Sequence, residues 1–171
     1  MKKLGTLFIL TFILLTTYSC EPQKTPIDYY NSAVGRSNLS YTFFLKMNQA
    51  VRDRELGEYT DYDLENSLKF PSEYTKVEIE KLEGLLGNES SDKLIQTAID
   101  LGKYEYDLAT GGELKAIFKL IDDSPNIGTL QENLAPHAQY LDSIFAKHDM
   151  LSESLDSEIT KYAEANNIEQ N

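Results

Sequence analysis

Cysteine occurs once in this chain, at Cys20, histidine occurs twice, and tryptophan is absent. One thiol cannot close an intrachain disulfide, so the fold must be held by packing. Basic residues are also scarce, with 16 Lys and Arg against 28 Asp and Glu and a formal charge of −12. An acidic chain without a basic stripe makes a poor nucleic-acid binder, because that affinity comes chiefly from neutralising phosphates, and no nucleic-acid partner is expected. Anionic lipid headgroups should repel it for the same reason. The longest apolar run, residues 4–15, is shorter than the roughly 20 residues needed to cross a bilayer. Sheet is excluded as well, since no stretch alternates apolar and polar residues for long and the β-branched residues are scattered.

What the N-terminus does contain is a charged start at Lys2 and Lys3, the apolar run, and then Thr17-Tyr18-Ser19-Cys20. The length and order fit a secretory signal, which is removed from the mature protein. The last four residues resemble the bacterial lipobox, in which the cysteine is diacylated before cleavage, although Thr17 and Tyr18 stand where that motif usually carries Leu and a small residue. The resemblance implies a lipoprotein signal peptide over residues 1–19 and lipid attachment at Cys20, with membrane attachment through the acyl chains. A conventional signal peptide with an incidental unpaired cysteine is the alternative. Residues 20–26 then form a short tether, which Pro22 and Pro26 keep extended and semi-rigid. Loss of Lys2 and Lys3 makes the remaining chain more acidic still, and residues 27–171 suffice for a single helical domain.

In that domain Ile27, Tyr30, Val34, Tyr41, Phe44, Leu45 and Val51 recur at three- and four-residue steps and predict one side of a long first helix. Thr60 and Asp63 are spaced as the start of a second, reaching Leu86 and stopped by Gly87 and Asn88, with a kink or restart at Pro71 and Ser72 as a cap. Ser90 or Ser91 opens a third through Leu94, Ile95, Ala98, Leu101 and Leu108. It weakens at Gly111-Gly112, where Thr110 and Glu113 have capping-box spacing, and restarts as Leu114, Ile117, Phe118 and Ile121. Residues 122–128 read as a loop. The fourth helix is expected to start between Thr129 and Asn133, with Pro136 tolerated in its first turn or kinking it deeper in, and to reach Ala165. Its seam is Leu134, His137, Leu141, Ile144, His148, Leu151, Leu155, Glu158 and Tyr162. The fold class that follows is all-α: an antiparallel four-helix-bundle-like domain with kinked or interrupted helices, after a cleaved signal peptide.

Motifs for chemistry are weak. A helix rises about 16 Å between His137 and His148, too far for a shared metal, and neither has a carboxylate one turn away, so both are expected as hydrogen-bonded core or seam-edge residues. Ser90 and Lys93 have Ser-x-x-Lys spacing but no following Lys-Thr-Gly. Asp122, Ser124 and Asn126 imitate the start of a calcium loop, yet Ile127 and Asn133 occupy the places of its glycine and its glutamate. Thr110-Gly111-Gly112-Glu113 lacks the lysine of a phosphate loop. No catalytic residue, metal or cofactor is expected. The acidic clusters near residues 73–83 and 153–169 alternate with lysines as solvated helix faces do. Tyrosine is enriched at binding surfaces, but Tyr30, Tyr41 and Tyr162 fall on predicted core stripes.

Asp28-Tyr29-Tyr30-Asn31, opening a long helix soon after the tether, is similar to YiiG-like lipoproteins, and the chain as a whole resembles the small helical bacterial lipoproteins of unknown function. The resemblance implies a lipid-anchored helical domain and carries no site residues. The expected function is therefore a non-enzymatic protein, exported and lipid-anchored to a bacterial membrane at the outer membrane or cell surface, that binds another protein or envelope component. Three alternatives stand beside it: a protective inhibitor steered electrostatically to a basic exported protein, a bundle that binds an apolar ligand, and an enzyme with no recognisable motif.

Overall fold

The structure, a computed structural model, describes residues 24–56 and 68–169. The signal-like segment, Cys20 and the helix start expected at Thr60 and Asp63 lie outside those residues. Among the described residues every regular element is helical: α1 (Pro26–Glu55), α2 (Lys69–Glu83), α3 (Asp92–Thr110), α4 (Gly112–Asp122), α5 (Ile127–Leu134), a single 3₁₀ turn (Ala135–His137) and α6 (Ala138–Ala165).

Local chemistry sets most of these boundaries. Thr25 and Asp28 cap α1, the Asp28 carboxylate accepting the Thr25 backbone N–H at 2.8 Å and its hydroxyl at 2.7 Å. Those hydrogen bonds hold Asp28 below the ordinary carboxylate range. Of the two outcomes expected at Pro71, a kink or a restart, the described residues have a helix start: α2 begins at Lys69 and Pro71 lies in its first turn, where a missing N–H costs nothing. Ser72 is not a cap: its hydroxyl donates to the Lys69 carbonyl. The second helix stops at Glu83, short of Leu86, and Gly87 then turns the chain with φ of 109°, a left-handed geometry that favours glycine. Ser91 precedes α3 without a side-chain cap, and Asp92 instead reaches back to accept the N–H groups of Gly87 and Asn88.

The expected break at the double glycine is present, but its capping box is not. Thr110 donates to the Tyr106 carbonyl and Gly111 is the N-cap of α4. The loop before α5 is shorter than residues 122–128, because α4 includes Asp122 and Asn126 caps a helix that already begins at Ile127, ahead of the expected start. Pro136 falls in the 3₁₀ turn that separates α5 from α6.

Buried apolar residues form two clusters. One joins Tyr29 and Ala33 of α1, Ile79 and Leu82 of α2, Leu94, Ile95, Ala98, Ile99 and Leu101 of α3, and Leu155, Ile159 and Tyr162 of α6. The other joins Phe44 of α1, Leu68 beside α2, Leu108 of α3, Ile117 and Phe118 of α4, Leu130 of α5 and Ile144 of α6. Chain order therefore takes α1 and α3 from the first cluster to the second, and brings α2 and α6 back. Helix α3 packs against α2, α6 and α1, and Gly102 lets α2 approach, since a Cβ there would sit 3.2 Å from Ile79.

The apolar stripes expected on α3 and α4 are buried. Of the expected seam, Ile144, His148, Leu155 and Tyr162 of α6 are buried, Leu141, Leu151 and Glu158 of α6 are only partly so, and Leu134 and His137, also half-buried, fall before it in α5 and the 3₁₀ turn. The α1 stripe needs correction. Tyr41 and Leu45 are 67% and 50% exposed, and Ile27 also faces solvent, while Tyr30 and Val34 are half-buried. Val51 is outside the described side chains. The buried line on α1 runs instead through Tyr29, Ala33, Arg36, Ser40 and Phe44. Apolar periodicity does not reveal this line, because Arg36 and Ser40 within it are polar.

Candidate functional site

Between the two apolar clusters lies a layer of buried polar groups, one or two contributed by each long helix: Arg36 and Ser40 from α1, Thr75 and the half-buried Glu78 from α2, Glu105 from α3 and His148 from α6. On each helix they stand between residues of the two apolar clusters, Arg36 and Ser40 between Ala33 and Phe44, Glu105 between Leu101 and Leu108, and His148 between Ile144 and Leu155, so helical periodicity delivers them to one level.

Arg36 is the hub. It is 1% exposed, and its Nη1 donates to Glu78 Oε2 while its Nη2 donates to Glu105 Oε2. Thr75 Oγ1 lies 3.5 Å from Nη1, and Nε has no hydrogen-bond partner. Burial pushes the guanidinium below its ordinary range, and the charge and hydrogen bond of Glu78 oppose that push. Three helices thus meet on one side chain. The planar fork of arginine suits this better than lysine would, because it can serve two carboxylates at once.

His148 is hydrogen-bonded and buried, as the sequence suggested. Its Nε2 is 2.7 Å from Ser40 Oγ, 3.4 Å from Ser152 Oγ and 3.6 Å from Glu105 Oε1, an oxygen without a hydrogen-bond partner. Its Nδ1 is also without one and lies 3.6 Å from Oδ1 of the exposed Asp149. Phe44 stacks on the ring at a centroid distance of 3.4 Å. Burial lowers the His148 pKa, with Arg36 adding to the effect and Asp149 opposing it.

Ser40, His148 and Asp149 follow the order of a nucleophile, base and orienting acid, but Ser40 is 1% exposed in mid-helix, and a carbonyl substrate cannot reach it. His137 stands apart at the end of the 3₁₀ turn. No cluster of three or more His, Cys, Asp and Glu suited to a metal occurs among the described residues. Ser90 and Lys93 part company, Ser90 donating to Asn88 and Lys93 pairing with Glu158 at 2.9 Å. Asn126 is occupied as the α5 cap, and Ser124 donates to the Leu120 carbonyl and accepts from Asn133, so the calcium-like triplet is a helix junction.

Two grooves face water on either side of α2. One, of about 280 Å³, runs between α1 and α2 along Asn31, Gly35, Leu39, Tyr74, Val77 and Glu78. The other, of about 370 Å³, lies between α2 and α3 along Ile79, Lys103 and Tyr106. Glu78 belongs both to the first groove and to the Arg36 network, with its side chain 16% exposed. Tyr74 and Val77 remain exposed beside it.

Arg36, Glu78 and Glu105 belong to no sequence motif. The available signal was a charge standing in an apolar stripe: Glu105 continues the steps of Ala98 and Leu101 toward Leu108, as Arg36 continues Tyr29 and Ala33 toward Phe44. Compared with known proteins, the chain matches no family model, no curated protein and no solved structure.

Proposed function

We propose that this is a lipid-anchored bacterial envelope protein, held through Cys20, whose antiparallel four-helix-bundle-like domain acts by binding another protein or envelope component and not by catalysis. The observation that carries the binding part is the α1–α2 groove, where Tyr74 and Val77 stay exposed beside Leu39 and the carboxylate of Glu78. Tyrosine and aliphatic area next to one anchoring charge is the composition of an interface centre. The formal charge of −12 favours a basic partner, drawn in by long-range attraction and held by these contacts. The anchor rests on the N-terminal pattern alone, and the likeness to YiiG-like lipoproteins is part of the same reading.

Two experiments test it separately. Cys20→Ala should abolish acyl labelling and release the protein from the detergent phase, because no described helix is long and apolar enough to cross a membrane. A variant that stays labelled and bound would end the anchoring proposal. For the groove, envelope extracts would be passed over the immobilised protein and over Tyr74→Ala/Val77→Asp at low and moderate salt. A partner retained by the wild type and lost by the double variant is expected; a partner retained equally by both would place binding elsewhere.

A further inference from the structure

The layer around Arg36 connects a titratable ring in the core to a groove on the surface, and its hydrogen bonding is incomplete in a specific way. A neutral His148 has one ring N–H and one lone pair. With the proton on Nδ1, the Nε2 lone pair accepts from Ser40 but faces the Glu105 Oε1 lone pairs at 3.6 Å. With the proton on Nε2, it is the buried Nδ1 lone pair that faces a carboxylate, Asp149, also at 3.6 Å. The Nδ1–H tautomer therefore serves Asp149 and the hydroxyls of Ser40 and, at 3.4 Å, Ser152, but leaves the buried Glu105 Oε1 without a donor, and the Nε2–H tautomer turns a lone pair to Asp149. Only the doubly protonated ring offers a donor to both carboxylates, Nδ1–H toward Asp149 and Nε2–H toward Glu105 Oε1, the Ser40 hydroxyl at 2.7 Å turning to share the latter. Net charge leads to the same state. Arg36 with Glu78 and Glu105 leaves one uncompensated negative charge in a buried layer, and an imidazolium there would cancel it. The groups that decide the matter come from every helix packed on the ring: Arg36 from α1, Glu78 behind it from α2, Glu105 from α3 and Asp149 from α6.

We propose that His148, Glu105, Arg36 and Glu78 form a charge relay through which acidification of the surroundings resets the α1–α2 groove. When His148 gains its second proton, Glu105 Oε1 takes Nε2–H as a donor and gives up part of its hold on Arg36. The guanidinium shifts its attraction toward Glu78, whose carboxylate also lines the groove, so Glu78 is drawn inward and offers less charge to a ligand. At neutral pH burial under Phe44 keeps the ring uncharged, and the relay rests in its other state. The inference concerns the protein itself and holds whatever occupies the groove.

Nuclear magnetic resonance of the purified full-length protein in detergent, with labelled histidine and labelled Leu and Val methyl groups, tests this without any ligand. Between pH 7.5 and 4.5 the His148 ring should titrate with a midpoint below about 6.5, and the methyl groups of Leu39 and Val77 should move with the same midpoint. Glu105→Gln removes the anionic partner and should lower that midpoint by about one pH unit or more. Asp149→Asn, at a position 74% exposed, removes the other anionic neighbour and should also lower it. In His148→Gln the methyl groups should be flat across the window. Groove methyls that stay still while His148 titrates overturn the relay. So do methyls that titrate unchanged in His148→Gln, or a midpoint that neither carboxylate substitution moves.

Discussion

Replacing Arg36 by methionine keeps an unbranched stem of similar length and removes only the guanidinium. In the wild type that group satisfies one oxygen of Glu105, whose side chain is 1% exposed, and one of Glu78, whose side chain is 16% exposed. Glu78 can turn to water in the groove. Glu105 cannot, and its other oxygen has no hydrogen-bond partner to fall back on. Breaking a buried pair by removing one partner costs about 3–5 kcal/mol, most of it the penalty of the stranded charge. Against a total stability of about 5–15 kcal/mol this is a large share, and for a domain of this size it corresponds to a fall in Tm of about 6–20 °C. Arg36→Met/Glu105→Leu removes the stranded charge as well and should recover most of the loss, since apolar replacement of a buried ion pair is often neutral or better. Urea unfolding followed by circular dichroism at pH 7.5 gives both numbers, provided the m-value is unchanged. The reasoning fails if Arg36→Met costs under about 1 kcal/mol, or if the double variant is no more stable than the single one.

Burial holds His148 below its ordinary range, so between its folded pKa and about 6.5 the folded protein carries fewer protons there than the unfolded chain. Unfolding takes up a proton in that window; the contribution to stability is complete above about pH 6.5 and is lost as pH falls toward the folded pKa, a slope that unfolding of His148→Gln at pH 7.5 and 5.5 should not show. Leu155→Ala, at a fully buried site, should cost about 2–5 kcal/mol, whereas Tyr41→Ala, on the face once expected to be core, should stay within about 0.5 kcal/mol; equal midpoints by thermal unfolding would contradict the packing described. Gly87→Ala should cost about 1 kcal/mol or more, because its φ of 109° strains any side chain, and a neutral result would mean that the turn after α2 relaxes.

Helical class was legible because Leu94, Ala98, Leu101 and Leu108, and again Leu114, Ile117, Phe118 and Ile121, repeat at steps that only a helix can bring to one side. The break at Gly111 was legible because the residue's own backbone chemistry decides it, whereas the end of α2 at Glu83, ahead of Gly87, and the start of α3, where Asp92 reaches back to Gly87 and Asn88, were misread. The face of α1 was misread because apolar periodicity treats a buried arginine as a surface residue. What makes Arg36 a core residue is Glu105, distant in sequence and on another helix, and the Coulomb and hydrogen-bond energy that offsets desolvation exists only once the two are in contact. Local sequence therefore determined that this chain is helical and roughly where each helix stops. Which side of α1 faces inward, and that a charged layer divides the apolar interior, was decided by tertiary packing, because a charge can be buried only where a partner from elsewhere in the chain arrives to meet it.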